Sequence, residues 1–242
     1  MISPDELLKM EEVCVIICSR QYGGEINKYL LENGMDQKLI YDVRGYLTTC
    51  SGNTYFEDFL DYSDCEVFID AGCKDLSTTV QLAGICPGLK KVYAFEPDPD
   101  NYRKCLVNRE KEHDRLPETV LFQQGVWSGR TSLKFDAFAS GGSRIAENGS
   151  SVIDVVSIDE TIKDNDKVTF IKMDIEGSEL EALKGAKTVI QRDKPKCAIC
   201  IYHKPEDMVT IPLYIKELVP EYRLYIRHYS NSEFETVLYA LP

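Results

Sequence analysis

Long apolar runs are missing from this 242-residue chain: no stretch approaches the roughly 18 residues that a membrane-spanning helix needs. The apolar run Val13 to Cys18 is too short for the core of a secretion signal, and the acidic opening MISPDELLKMEE lacks a basic lead. Positive charge is scarce as well. Lys and Arg number 28 against 40 Asp and Glu, a formal net charge of −12. That balance argues against nucleic acid and against anionic membrane surfaces, because affinity for phosphates is carried mainly by Lys and Arg. No internal repeat and no Pro/Gly/Ser-rich linker divides the chain. Cysteine is the one class in plentiful supply. Several of the nine, including Cys14, Cys18, Cys197 and Cys200, sit inside apolar runs, which reads as buried thiols in a reducing compartment rather than a disulfide framework. A cytoplasmic protein with one α/β domain and a modest appendage is expected.

The appendage, residues 1–52, carries the run VCVIIC, a turn with Gly23 and Gly24, a helical stretch EINKYLLENG and a short strand LIYDV. It looks like half of a dinucleotide-binding unit, but Cys18 and Arg20 stand where a phosphate-cradling turn needs glycine. A structural role, or one in forming a homodimer, is therefore expected for it. The main domain is expected over residues 53–242. From Glu66 onward, β and α signals alternate. EVFIDAG, KKVYAFE, TVLFQQGVW, VTFIKMD and KCAICIYH read as strands, and STTVQLAGIC, DPDNYRKCLVNREKE, SELEALKGAKTVIQ and PEDMVTIPLYIKELV as helices. SLKFDAF to SVIDVVSID reads as a β excursion around the loop GGSRIAENGSS. YRLYIRHYS and ETVLYALP close the chain as a hairpin. The alternation implies a mostly parallel sheet with helices on both faces and an antiparallel pair at one end.

Three strands end on acids: Asp70, Glu96, and Asp174 with Glu176. In such a fold, ligands sit at the carboxyl ends of the strands, and an acid about 20 residues after the first turn can bond ribose hydroxyls. Glu96, followed by Pro97, is placed for that role. The turn Asp70-Ala71-Gly72-Cys73-Lys74-Asp75-Leu76 has a single glycine and is poor for a pyrophosphate. It suits S-adenosyl-L-methionine better, since backbone N–H groups can take that ligand's carboxylate and Asp70 its ammonium. Gln124, Gly125, Val126 and Trp127 fall where the adenine would lie, and Trp127 has equal claims to stacking on it and to packing in the core.

FIDAGC, VYAFEPD, the Gln124–Trp127 turn and above all FIKMDIEGSELEALKGA resemble the FkbM family of S-adenosylmethionine-dependent methyltransferases, over roughly residues 53–242. The resemblance implies a Rossmann-like class I methyltransferase fold with a mostly parallel seven-stranded sheet. It also implies O-methylation of a saccharide, glycoconjugate or small natural-product hydroxyl. Asp70, Ala71, Gly72, Cys73, Glu96, Pro97, Gln124, Gly125, Val126 and Asp174 are the cofactor-binding positions expected. Glycine is usual in the family where Leu76 stands, so Leu76 is expected to crowd the methionine end of the cofactor.

Methyl transfer to a hydroxyl requires alignment of the acceptor and removal of its proton. The catalytic candidates are Asp174, Glu176 and His203, with His228 behind them. Glu179 is expected on a helix surface and Lys172 beside its strand with its ammonium in water. No third acidic ligand follows Asp174 and Glu176 at convincing spacing, so no metal is expected. Cys197 and Cys200 have zinc-like spacing, but strand alternation sends them to opposite faces. Two competing readings remain: an NAD-linked oxidoreductase, and a catalytically silent binding module that kept the fold.

Overall fold

Fully apolar runs bounded by turn residues are the signature of a sheet covered on both faces. The computed structural model describes residues 3–10, 13–17, 22–42, 54–136, 144, 145, 149, 151–163, 165–230 and 234–242. Contacts divide the chain into two units, Met1–Gly52 with Tyr229–Ser232, and Asn53–His228 with Glu233–Pro242.

In the first unit, α1 (Pro4–Leu7) starts on a capping box: Ser3 Oγ accepts the Glu6 N–H while the Glu6 side chain accepts that of Ser3. β1 (Val15–Ile17) and β2 (Ile40–Asp42) pair in parallel, joined through α2 (Gly23–Glu32). Ile17, Leu30 and Ile40 form its small core. Cys18 and Arg20 lie outside the described residues.

The second unit is built on a seven-stranded sheet in the order β12-β13-β11-β10-β3-β4-β5. Its parallel block comprises β3 (Glu66–Ala71), β4 (Leu89–Phe95), β5 (Glu118–Phe122), β10 (Phe170–Met173) and β11 (Lys196–Cys200). β12 (Arg223–His228) and β13 (Thr236–Leu241) form the closing hairpin, with β13 antiparallel to β11. α3 (Ser77–Ile85), α4 (Pro99–Lys111), α5 (Ile158–Thr161), α6 (Glu179–Lys184), α7 (Lys187–Asp193) and α8 (Asp207–Leu218) supply the helices. All six residues of β3, all four of β10 and all six of β13 are buried, and only the outermost strands, β12 and β5, carry no buried residue. The expected α/β architecture, with its terminal antiparallel pair, is present.

Two elements differ from expectation. The run TVLFQQGVW is not one strand: β5 stops at Phe122, and β6 (Gly125–Val126) leaves for a second sheet, β6-β9-β7-β8. That sheet contains β7 (Thr131–Asp136), β8 (Arg144–Ile145) and β9 (Ser151–Val156), where the β excursion was expected. Most of the loop GGSRIAENGSS lies outside the described residues, as does the Arg144 side chain. Similarly, SELEALKGAKTVIQ is two helices rather than one. The break falls at Gly185, where the Trp127 backbone passes so close that a Cβ would collide with its carbonyl. α7 restarts on Asp159, whose carboxylate accepts the N–H groups of Thr188 and Val189, both at 2.9 Å.

Candidate active site

The carboxyl ends of β3 and β4 meet through Gly72. Its φ of +77° is left-handed, and a Cβ there would collide with the Asp174 carbonyl. Only glycine satisfies both conditions. The Gly72 and Cys73 N–H groups donate to the Phe95 carbonyl at 3.0 and 3.1 Å, tying the turn to the next strand. Lys74 and Leu76 are also left-handed, with φ of +54° and +68°, a strained arrangement for side-chain-bearing residues. The family's usual glycine at position 76 therefore answers a backbone requirement. Leu76 itself is fully buried, and its side chain does not line the cavity beside the turn. The expectation that it crowds a ligand is not met.

That cavity, about 230 Å³, runs along the sheet edge. At one end Gly72, Phe95, Pro97, Gly125 and Val126 give a largely apolar wall around Glu96. Glu96 is only 6% exposed, and its oxygens accept the Lys74 N–H at 2.8 Å and the Asp98 N–H at 2.9 Å. Burial pushes its carboxyl up to about 7, and the Asp98 charge adds to this, while the two backbone donors pull the other way.

Asp70 does not reach the cavity. It is fully buried, accepts the Thr79 hydroxyl at 2.7 Å and pairs with the Lys172 ammonium at 3.2 Å. Lys172 is the second departure: far from reaching water, it is 2% exposed and donates to the Gly72 carbonyl at 2.8 Å. The cause is register, since β10 lies directly beside β3 with Lys172 opposite Asp70. Burial opposes the charge on Lys172, but Asp70 and Asp174 outweigh it and raise its pKa.

At the other end of the cavity stand Asp174, Glu176, Tyr202 and Glu235. Glu176 and Gly177 are both left-handed, with φ of +54° and +90°, so the chain reverses right after β10 and returns both acids to the same edge. Asp174 Oδ2 accepts the Tyr55 hydroxyl at 2.8 Å, and Oδ1 accepts the Tyr202 hydroxyl at 3.3 Å. Burial opposes ionisation of Asp174, but Lys172, His203 and the Tyr55 bond together hold its carboxyl below the usual range. His203 stands behind these acids, its Nε2 3.4 Å from Asp174 Oδ1 and 3.5 Å from Glu176 Oε2. Its Nδ1 faces Glu179 Oε1 at 2.9 Å. Burial disfavours the charged ring, but Glu179, Asp174 and Glu176 overcome this and raise its pKa.

The structure thus gathers Gly72, Glu96, Pro97, Gly125, Val126, Asp174 and Glu176 on one cavity, with His203 against its acidic end. Ala71, Cys73 and Gln124 lie outside the lining, as Asp70 does. Trp127 packs with Phe135, Ile153 and Val155 of the second sheet. His228, on an exposed strand, bonds Thr236 Oγ1 at 2.8 Å. Glu179 is fully buried rather than on a helix surface, because its carboxylate turns inward to accept the Ile175 N–H at 2.9 Å. Sequence reading misses Tyr202 and Glu235, and marks the Tyr55 to Tyr62 segment as one that shapes the acceptor pocket without the bond from Tyr55 to Asp174. That bond spans 119 residues, so no local pattern marks it.

Residues 70–232 match the family described as methyltransferase FkbM domain. Hexuronic acid methyltransferase AglP of Haloferax volcanii is 34% identical over 115 residues, covering 45% of this chain and 46% of that protein. A solved structure of methyltransferase FkbM from Methylobacillus flagellatus KT superposes with a TM-score of 0.65 at 31% identity, covering 78% of this chain and 47% of that one. The chain thus spans about half the length of each of these relatives. On the family match, supported by the shared fold, the chain belongs to the methyltransferase FkbM domain family.

Proposed function

We propose that this chain transfers a methyl group from S-adenosyl-L-methionine to a hydroxyl of a saccharide or glycoconjugate, and that residues 53–242 are the unit that does so. The observation that carries this reading is the single cavity with two chemically different ends. The Glu96 end fits the cofactor. Glu96 uses one acceptor site on each oxygen for a backbone N–H, and the remaining sites are left for ribose hydroxyls. Phe95, Pro97 and Val126 offer apolar surface to an adenine, and Gly72 leaves the backbone open to the amino-acid end. Asp70 supports that turn through Thr79 and Lys172 rather than touching the ligand. When bound, the cofactor supplies a methyl group already activated on a sulfonium.

The Asp174 end fits the acceptor. Asp174 and Glu176 present carboxylate oxygens to a hydroxyl, and Tyr55 holds Asp174 in place from behind. His203 completes the group that handles the hydroxyl proton. The charged lining of the whole cavity is Lys74 against Glu96, Asp174, Glu176 and Glu235. An acidic acceptor end favours a hydroxyl over a carboxylate as the methylated group. The saccharide class rests on the hexuronic acid named for the archaeal relative. The silent-module reading was motivated by Leu76, whose side chain is buried away from the cavity.

The test is transfer of radiolabelled methyl from S-adenosylmethionine to a panel of neutral saccharides, uronic-acid saccharides and polyketide alcohols. The expected product is a base-stable methyl ether on a saccharide. Label confined to polyketides, or released by mild base as a carboxyl ester, overturns the reading.

A further inference from the structure

Asp174, Glu176 and His203 each point one metal-ligating atom into the same small volume, and these atoms all lie within 4.8 Å of one another. From this convergence we propose that the acceptor end of the cavity holds a divalent transition-metal ion of the Mn²⁺ type, bound by Asp174 Oδ1, Glu176 Oε2 and His203 Nε2.

The histidine carries the argument furthest. Its side chain is 8% exposed, and both ring nitrogens are buried without a hydrogen bond of good geometry among the described residues, although Nδ1 lies 2.9 Å from Glu179 Oε1. Nε2 faces two carboxylate oxygens at 3.4 and 3.5 Å without an aligned hydrogen bond to either, a spacing close to that of ligands around an ion. Adjacent donors on an octahedral ion with bonds near 2.1 Å stand about 3 Å apart, so the histidine needs to close on each acid by only a few tenths of an ångström, the two acids standing within 4.8 Å of each other.

The shell behind the donors is built in the manner of metal sites. Ligating histidines usually give their other ring N–H to a carboxylate, which fixes the tautomer and the ring plane. Glu179 is in that position: fully buried, 2.9 Å from Nδ1, and itself pinned by the Ile175 N–H. With Nδ1 against Glu179, Nε2 is the ring nitrogen that faces the two acids. On Asp174, Tyr55 occupies Oδ2 and so turns Oδ1 toward the histidine. Glu176 arrives through a strained left-handed backbone, a conformation that persists where the surroundings impose it.

Charge points the same way. Three carboxylates, Asp174, Glu176 and Glu179, converge on one imidazole, while the buried Lys172 ammonium is shared between Asp70 and Asp174. Two carboxylates with one imidazole nitrogen suit Mn²⁺ better than Ca²⁺ or Mg²⁺, which favour all-oxygen sets. Sequence spacing did not reveal the site because its third donor is a histidine after β11, not an acid after β10.

Binding of the ion stands apart from methyl transfer; its use in orienting an acceptor's oxygens rests on the proposed function. The experiment titrates chelator-treated, desalted protein with Mn²⁺ alone and follows the free ion by electron paramagnetic resonance. Saturable uptake of one Mn²⁺ per chain is expected. Glu179→Gln should weaken it about 10- to 100-fold while leaving all three ligands in place. His203→Asn and Glu176→Gln should each weaken it further, and Glu110→Gln, on the exposed face of α4, should leave it unchanged. Circular dichroism confirms that each variant is folded. No saturable uptake by the wild type, or uptake by both His203→Asn and Glu176→Gln equal to wild type, overturns the site. Methyl transfer that survives chelator in protein taking up no Mn²⁺ sinks the ion and keeps the enzyme. Mn²⁺ uptake in protein that transfers no methyl group keeps the ion and sinks the enzyme.

Discussion

Glu96 and Asp174 stand at opposite ends of one cavity, both on the turn after a parallel strand, and their carboxyl groups are driven in opposite directions. Glu96 rises to about 7 because burial is countered mainly by two backbone N–H groups. Asp174 falls below its usual range although it too is partly buried, because Lys172, His203 and the Tyr55 hydroxyl outweigh desolvation. The difference is supplied by the neighbouring strands. β10 places Lys172 beneath Asp174, whereas around Glu96 backbone N–H groups, apolar surface and the Asp98 charge dominate. One end is therefore tuned to accept hydrogen bonds from a neutral diol, and the other to hold a fixed negative charge.

Removing the cation should collapse the contrast. Lys172→Met leaves Asp70 buried with only Thr79 as partner and strips Asp174 of its main support. Loss of one member of a buried ion pair costs about 3–5 kcal/mol, and chemical denaturation should show a loss of that size. An unchanged midpoint would mean that the pair does not set the acidic end.

The Glu96 end should reveal itself in the pH dependence of stability. Its carboxyl has an ordinary value of 4.5 and is raised to about 7 in the folded chain, so between these values the folded state keeps a proton that the unfolded state has lost. Its contribution is fully present below 4.5 and is lost as pH rises through about 7, a change on the order of 3 kcal/mol. Comparing unfolding curves of wild type and Glu96→Gln across this window isolates the effect, because the amide cannot titrate. Parallel curves would remove the distinction between the two ends.

Leu76→Gly sharpens the comparison most gently. Glycine relieves the left-handed backbone, about 1–2 kcal/mol, but deletes a fully buried leucine side chain, about 3–5 kcal/mol. A net loss of roughly 2 kcal/mol in thermal stability is expected, with little change in cofactor affinity. A marked gain in affinity would show that the side chain intrudes on the cofactor after all.

The Glu96 end was legible from sequence because its logic is local: an acid ends a strand, a proline follows, and one glycine precedes the turn before it. The acidic end was legible only in part. Asp174, Glu176 and His203 could be named, but the groups that support them could not, because Tyr55, Lys172 and Glu179 join them only after β10 settles between β3 and β11. That same placement explains why Asp70 was misread. As a strand-end acid it looked free to take a ligand's ammonium, and the side chain of Lys172, opposite it on the neighbouring strand, takes that place. In the TVLFQQGVW run, period and composition could not show that Gly125 would leave the main sheet for another.

The division of the cavity is tested most directly by calorimetric titration of S-adenosylmethionine into wild type, Glu96→Gln and Glu176→Gln. Loss of the ribose hydrogen bonds should weaken binding by Glu96→Gln about 100-fold, while Glu176→Gln binds within a few-fold of wild type. Equal affinity of Glu96→Gln and wild type would contradict the assignment of the cofactor to that end.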